Sequence, residues 1–478
     1  MDFGWREVIK KTTLNQKMAG KPAIFHGNKI KYTIMRTYDH PLRTVLHEEV
    51  HARPPVALWP RDRILNQAFL LNATDRIKQL EWINSISLKL NLAADPHHGQ
   101  SFRIIELQPA PHRIIIKWEL HGEFASISAV VQQSNLLDQP HIHTRQAIEA
   151  QVNDLLSRSE IAPIHESGGL RIAAMDVAFE DRPLFTDAEQ VSQIFSGNTL
   201  LGSTILSSQK AQLWTDLQIN EDGYISYLVP HVGMGSRQAG RVARRITETE
   251  TYRMASMIAF PVAKSLSGPL RQAEAELAEL SKEISGAQSQ LTVAPNADGE
   301  FLHRISMLAS KIEEWISEHG LRFTASEAYT QLVHKNLEEL NESSVPGVQT
   351  LSEFMDRRFA PAMSTCSWTQ RRLKELSDRI SRTTQILRTR IEYVNESQTQ
   401  QLLASMDQRA QLQLRLQETV EGLSVLVLTY YAVSLIIYMA KGVKELGLGL
   451  SPELIGAVCA PLIAYGIYRA NQLRKKKF

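Results

Sequence analysis

Residues 423–439 read LSVLVLTYYAVSLIIYM, a run without a charged side chain that decides the architecture of this chain. With one neighbour at each end it reaches about 19 residues, close to the ~20 that an α-helix needs to cross a bilayer. A second apolar run, residues 454–468, follows a Ser-Pro pair that predicts a helix start. We therefore expect a two-helix transmembrane hairpin, with one span bounded by Leu423 and Met439 and the other by Leu454 and Tyr468.

The second apolar run and the chain end indicate how this hairpin packs and how it is oriented. Gly456, Ala460 and Gly466 are small enough to allow close helix–helix approach in lipid. The basic cluster at residues 474–477 is expected on the cytoplasmic side, where positive flanks of membrane spans are retained. Two spans then place the preceding residues on the same side. We expect a multi-pass protein of the inner (cell) membrane with both termini cytoplasmic.

A long helical region precedes the hairpin. Residues 362–421 contain neither Pro nor Gly, and Leu373, Ile380, Leu387 and Val394 recur every seven residues. This spacing is typical of a coiled-coil seam. The remaining helices are predicted over residues 263–291, 301–319 and 325–341. We expect residues 241–421 to form a helical bundle or coiled-coil stalk that runs into the first span.

The first 240 residues differ in pattern, because short β-rich runs alternate there with Pro and Gly. Helices are predicted over residues 61–90 and 144–157. Strands are predicted over residues 102–107, 113–120, 124–131, 170–179, 198–206, 210–218 and 223–229. The fold class is therefore α+β. It comprises a mixed α/β domain (1–240), the helical stalk (241–421) and the transmembrane hairpin with its basic tail (422–478).

Composition excludes several classes of protein. The net charge is +2, and basic residues alternate with acidic ones, so no nucleic-acid partner is expected. The two cysteines, Cys366 and Cys459, predict reduced thiols rather than a disulfide framework. The first 20 residues lack the apolar run of a secretory signal. We expect a large cytoplasmic portion.

One short string suggests metal chemistry. His47-Glu48-Glu49-Val50-His51 matches H-E-x-x-H, in which two histidines on one helix face bind zinc and the first Glu acts as general base. However, Arg53-Pro54-Pro55 follows at once, and the residue before a proline disfavours helix. A membrane-tethered zinc hydrolase with His47 and His51 as ligands therefore stays an alternative. A structural or ligand-binding turn is favoured, and no cofactor is assigned.

A run of alternating charges spans residues 240–253. Arg241, Glu248, Glu250, Tyr252 and Arg253 belong to it, at three- and four-residue spacings that bring opposite charges together on a helix. Such a face is more often a solvated surface or a salt-bridge network than a binding site. The alternative is a contact with an anionic ligand or with another subunit.

Several long segments resemble one bacterial family, that of predicted membrane-anchored proteins with domain of unknown function 3422. The resemblance runs nearly end to end and implies a topology without implying an activity. Its recurring element is Glu49-x-His51-Ala52-Arg53-Pro54, which together with Trp118 and Glu123 is expected to form a ligand-binding or structural motif. Further matching segments are residues 118–124, 215–223, 238–241, 248–253, 322–325, 357–362, 387–390 and 413–424.

The order of parts is also similar to that of CorA-type divalent-cation channels, which have a stalk helix, two spans and a basic tail. The Gly-Met-Asn signature of that family is absent, since residues 438–442 read YMAKG. A channel would place Ser424, Thr429 and Ser434 along a pore. The sequence favours a non-enzymatic, homo-oligomeric scaffold or interaction protein bound to a lipid bilayer, with its protein partner unknown. The ion channel and the zinc hydrolase remain alternatives.

Overall fold

A computed structural model describes residues 40, 42–43, 46–47, 54–90, 101–107, 112–133, 144–289, 297–445 and 451–475. The described chain forms two compact units. The first comprises the residues up to Thr251 together with Val333–Phe354, and the second comprises Tyr252–Leu332 and the residues from Met355 onward. The fold is α+β, as the sequence predicts.

A mixed sheet forms the centre of the first unit. The strands are β1 (Arg63–Leu70), β2 (Phe102–Leu107), β3 (His112–Leu120), β4 (Phe124–Gln133), β5 (Leu170–Asp181), β6 (Leu201–Ile205), β7 (Ala211–Ile219), β8 (Ile225–His231) and β9 (Ser343–Ser344). Their order in the sheet is β2-β3-β4-β1-β5-β8-β7-β6-β9. The β5 and β8 strands pair in parallel, whereas the other described ladders between named strands are antiparallel.

The central strand β1 contradicts one prediction. Residues 61–90 read as a single helix, but Arg63–Leu70 is a strand, and helix α1 covers only Ala73–Lys89. The strand sequence RILNQAFL has no clear alternation, because both of its faces are buried. Pairing with β4 on one side and β5 on the other decides its conformation. Asn72 then caps α1 by accepting from the Asp75 amide at 2.8 Å.

Two apolar clusters lie on one face of the sheet. The larger joins alternate residues of β1 to β5 with α1 and with α2 (Arg145–Arg158), and Trp82 and Ile148 are among its helical members. The smaller joins Trp214 and Leu228 with α3 (Ala188–Ile194). A 3₁₀ turn, Ile164–Glu166, follows α2. Alternation along the strands puts both clusters on the same side, called here the helix-bearing face.

Long helices make up most of the remaining chain. They are α4 (Ser236–Met257), α5 (Ala259–Ser289), α6 (Ala297–Leu340), the short α7 (Leu351–Phe354), α8 (Ala360–Glu445) and α9 (Pro452–Lys475), with a π-helical turn at Met355–Phe359. The runs 301–319 and 325–341, predicted as two helices, are joined in α6. Gly320 did not break it, because a single glycine costs a helix only about 1 kcal/mol.

The heptad-like seam of α8 packs inside the chain for part of its length. Leu373, Ile380 and Leu387 are at most 3% exposed, whereas Val394 is 36% exposed. Arg372 of α8 donates to the Glu274 carboxylate of α5 at 2.9 and 2.6 Å, so these two helices form part of a bundle. An intermolecular coiled coil is not needed to explain the periodicity up to Leu387.

The C-terminal part of the chain has two helices long and apolar enough to cross a membrane. None of the apolar window of the first is buried, and 6% of that of the second is. Pro452 opens α9, as predicted. An added Cβ at Gly456 would lie 2.7 Å from the Ile437 side chain, so the two helices approach closely at this small residue.

Candidate functional site

Charged and polar side chains lie among the apolar residues of the helix-bearing face. The β1 strand contributes Arg63 and Gln67, and β5 contributes Asp176, which lies opposite Leu65 of β1. Helix α2 adds Arg145 and Glu149, and the residue before β8 is Tyr224. Buried polar groups need partners, so this set forms a network. We call it the polar seam: Arg63, Gln67, Arg145, Glu149, Asp176 and Tyr224.

An ion pair joins the two central strands within the seam. The Arg63 Nε lies 2.7 Å from the Asp176 carboxylate, whose side chain is 6% exposed. Burial raises the pKa of Asp176, and the nearby positive charges of Arg63 and Arg145 oppose that increase. A buried carboxylate without such a partner would be strongly destabilising. The pair with Arg63 therefore offsets part of the cost of burying the Asp176 carboxylate.

Tyr224 connects the seam to helix α2. Its hydroxyl accepts from Gln67 Nε2 at 2.8 Å, and the guanidinium carbons of Arg145 and Arg171 lie 5.2 and 5.3 Å from its ring centroid. Burial raises the pKa of Tyr224, and its hydrogen bond to Glu149 adds to the increase. The phenol therefore remains a neutral hydrogen-bond donor at physiological pH.

The turn before β8 holds this arrangement in place. The Asn220 side chain accepts from the backbone amides of Asp222 at 3.1 Å and Tyr224 at 3.0 Å. Gly223 has a φ of +80°, and a side chain there would meet the Arg171 guanidinium. Arg145 forms an ion pair with Asp222. The Asp222-Gly223 pair, which lies in one of the segments that carry the resemblance, thus has a structural role beside the seam.

Two cavities border the seam. A cleft of about 360 Å³ includes Arg63 in its lining, and a cavity of about 40 Å³ is lined in part by Gln67, Glu149, Asn153 and His165. The small cavity has room for about one water molecule, whose share of liquid volume is about 30 Å³. Gln67 Oε1 is a buried acceptor without a hydrogen bond within the described chain. A water in the small cavity would satisfy it.

Polar groups also lie on the opposite face of the sheet. The Lys117 ammonium is 2.8 Å from the Glu119 carboxylate, and both side chains are less than 10% exposed. Asn66 Nδ2 donates to the hydroxyls of Ser126 at 2.8 Å and Ser128 at 2.7 Å. These residues come from three adjacent strands. The sheet therefore buries charge on both of its faces.

The segment that enters β1 is fastened to this opposite face. Asp62 accepts from the Trp59 amide and from Gln132 Nε2, both at 2.6 Å. Burial raises the pKa of Asp62 to about 6, although both hydrogen bonds and Arg113 act to lower it. The buried His231 adds an Nε2 contact of 2.9 Å to the Pro60 carbonyl.

Helix α4 holds the same segment from its first turns. The Leu58 amide donates to the Ser236 carbonyl at 3.1 Å. At Gly240 any Cβ would overlap the Val56 carbonyl oxygen. Val56 closely follows the segment that ends at Pro54, and Gly240 lies in the segment 238–241. Both of these segments carry the family resemblance. The close approach of the two backbones therefore requires a residue without a Cβ at position 240.

The predicted site residues that the structure describes lie on different elements of the chain. Trp118 lies in the larger apolar cluster, where its indole donates to Gln79 at 3.0 Å. The Glu123 carbonyl accepts from the Leu71 amide at 2.9 Å. On α4, Arg241 is exposed and Glu250 is fully buried. Trp118 therefore has a structural role in the apolar core.

The rest of the charged run on α4 makes local contacts. Glu248 accepts from Arg244 Nε at 2.6 Å, four residues earlier, as the spacing predicts. Tyr252 stacks on Tyr329 with ring centroids 5.6 Å apart, and Arg253 is partly buried. Tyr252 and Arg253 belong to the second compact unit, whereas Glu248 belongs to the first.

The motif residues Glu49, His51 and Arg53 lie outside the described residues. His47 is described and is exposed in a helical turn. Within the part of the chain that the structure describes, no group of three or more His, Cys, Asp or Glu side chains is placed to hold a metal ion. Zinc binding by His47 and His51 stays an untested alternative.

The polar seam was missed in the sequence, although a signal for it exists. Asp176 interrupts the apolar run AAMDVAF, and Arg63 opens a run that was misread as helix. Lys117 and Glu119 flank Trp118 within a predicted strand. A charge inside a strand with two buried faces must find a partner, so such charges are better indicators of a site than the surface charges of α4.

The hydroxyl groups of the first span bond within their own helix. Ser424 Oγ donates to the Val420 carbonyl at 2.9 Å, and Thr429 Oγ1 donates to the Val425 carbonyl at 2.7 Å. Leu423, Met439 and Leu454 are each 64–68% exposed, and Tyr468 is 55% exposed. These exposed apolar side chains are suited to contact with lipid or with other helices.

The comparisons with known proteins identify one family. The family described as "Protein of unknown function (DUF3422)" matches residues 38–477. No curated protein and no solved structure matches the chain significantly. The family match covers the sheet, the long helices and both candidate spans. Because it extends over nearly the whole chain, this protein belongs to the DUF3422 family.

Proposed function

We propose that this chain is a membrane-anchored scaffold that assembles with further copies of itself through the long helix α8. Its large amino-terminal portion and its basic tail then lie on the cytoplasmic side of the inner membrane. The observation that carries the proposal is a set of unusually exposed apolar side chains on α8 ahead of the first span. They are Leu402, Leu403, Met406, Leu412, Leu414 and Leu416, each 60–66% exposed.

The first argument concerns anchoring. The apolar windows of α8 and α9 are almost wholly exposed, so they are not core helices of the described chain. Exposed apolar surface of this extent favours lipid as the solvent. Tyr438 lies beside Lys441, whose ammonium is 5.8 Å from its ring centroid, and Tyr465 lies beside Arg469. Tyrosine and basic residues are typical of the membrane interface.

The second argument concerns assembly. From residue 391 to residue 422, α8 extends about 48 Å at 1.5 Å per residue. Leu402, Met406, Leu416 and Val420 fall within a sector of about 80° at ~100° per residue, and we call them the stalk stripe. Copies anchored in one membrane lie parallel at the same height. The stalk stripe of one copy can therefore meet that of another.

The test compares oligomeric states of the full chain in a mild detergent by light scattering. We expect the unaltered chain to form a defined oligomer. The Leu402→Gln/Leu416→Gln variant should dissociate, because it removes two of the four apolar side chains of the stalk stripe. The Leu403→Gln/Leu414→Gln variant is a matched control, since those side chains are equally exposed but point about 100–120° away. A strictly monomeric unaltered chain, or equal dissociation of both variants, would refute assembly through the stripe.

A further inference from the structure

The larger cleft of the first unit is built from the start of β1 and the end of β5. Arg63 of β1 pairs with Ala178 of β5, and the Phe179 amide donates to the Asp62 carbonyl at 2.9 Å. Side chains alternate along strands, so Arg63 shares one face with Ala178 and Glu180, while Arg61 and Arg182 lie just beyond the ends of the two strands. These five residues belong to the lining of the cleft of about 360 Å³.

The charges on this face have a small positive excess. Three guanidinium groups, those of Arg61, Arg63 and Arg182, line the cleft with the Glu180 carboxylate, and the buried Asp176 carboxylate on the same face pairs with Arg63. The other two acidic residues of the lining lie on the opposite face by alternation. Asp62 demonstrates this, because its carboxylate bonds to Gln132 on the far side of the sheet.

Two of the arginines are held in place by other groups. The Arg63 Nε lies 2.7 Å from the buried Asp176 carboxylate within the sheet. Arg182 lies over the Phe185 ring, 4.3 Å from its centroid. Such fixed guanidinium groups lose little conformational entropy on binding a ligand.

The remaining groups leave the cleft accessible. Arg182 contacts Glu180 at 3.2 Å, but both side chains are more than 40% exposed. An exposed pair of this kind contributes at most about 1 kcal/mol and is easily exchanged for another anion. Ala178, which also lines the cleft, packs against the smaller apolar cluster.

We propose that this cleft binds a small organic dianion of phosphate or dicarboxylate chemistry through Arg63 and Arg182. Guanidinium forks match the geometry of both groups. The volume lies at the lower end of the ~300–1,000 Å³ found for small-molecule sites, so the ligand is of metabolite size. The proposal is independent of membrane anchoring and of assembly through the stalk stripe.

Calorimetric titration of the full chain in nonionic detergent tests it, with inorganic phosphate and succinate as separate probes at constant ionic strength. We expect saturable binding that Arg182→Gln weakens about tenfold or more, the usual loss for a charge-assisted hydrogen bond. Arg158→Gln is the matched control. It also removes one positive charge and one exposed ion pair, that with Asp154 on α2.

The outcomes separate the two ligand classes. Saturable binding of phosphate alone assigns the site to phosphate compounds, and binding of succinate alone assigns it to dicarboxylates. Ala178→Leu, which fills the floor of the cleft without changing charge, should weaken binding as well. The proposal is overturned if neither probe binds saturably up to about 10 mM, ten times a 1 mM dissociation constant. Equal weakening by Arg182→Gln and Arg158→Gln would also overturn it.

Discussion

Asp62 is a buried carboxylate that holds the segment leading into β1. Its carboxylate holds the Trp59 amide and Gln132, yet burial raises its pKa from 3.8 to about 6. The folded protein therefore holds this proton to a higher pH than the unfolded chain does. The contribution of Asp62 to stability is greatest below about pH 4, falls as the pH rises towards 6, and stays constant above that.

Replacing Asp62 by Asn should remove this dependence on pH. An amide oxygen can still accept from the Trp59 amide, but it carries no charge to desolvate. Relative to the unaltered protein, Asp62→Asn should gain up to about 3 kcal/mol between pH 4 and pH 7, from 1.36 kcal/mol per pKa unit. Urea unfolding of both proteins at the two pH values measures the difference. A difference that stays the same at both values would contradict the account.

Gly240 allows the closest backbone contact between α4 and the entering segment. In Gly240→Ala the new methyl group would overlap the Val56 carbonyl, so we expect a loss of roughly 1–3 kcal/mol. Gly286→Ala is the matched control, because nothing lies within 4 Å of its Cβ position inside α5. The control should be stabilised by about 0.5–1 kcal/mol. Thermal unfolding followed by circular dichroism distinguishes the two, and equal shifts would refute the close contact.

At the scale of elements, local pattern predicted the strands and long helices well. Strands β2, β3 and β4 and helix α2 were found because their apolar residues follow a clear period. The β1 strand was missed because its Asn, Gln, Ala and Leu residues are compatible with a helix, and its pairing depends on strands far along the sequence. The polar seam was missed for the same reason, since β1 contributes Arg63 and Gln67.

The hairpin offers a test at the same scale. Gly456→Leu would force α9 away from Ile437, whose side chain already lies 2.7 Å from the position of an added Cβ. We expect a lower midpoint for loss of helical signal in detergent. Gly466→Leu is the matched control, because nothing lies within 4 Å of its Cβ position. Equal effects of both substitutions would show that the close approach at Gly456 does not stabilise the hairpin.

At the scale of the whole molecule, the sequence alone indicated the order of parts: a mixed domain, long helices and an apolar hairpin. The sequence could not indicate that segments far apart along the chain belong to one compact unit. The β9 strand at residues 343–344, for example, pairs with β6. The sequence also could not show which part of the periodic seam of α8 is buried inside the chain. Leu387 is buried within the bundle, whereas Leu402, Leu403 and Met406 are 60–64% exposed.

The central claim is that the hairpin spans the membrane with the rest of the chain on the cytoplasmic side. Its most direct test is labelling of single cysteines in intact bacterial spheroplasts by a membrane-impermeant maleimide, with Cys366 and Cys459 replaced by Ser. The account predicts that Lys444→Cys, between the two spans, reacts at once, and that Gln411→Cys reacts only after the membrane is permeabilised. Protection of both cysteines, or immediate reaction of Gln411→Cys, would contradict it.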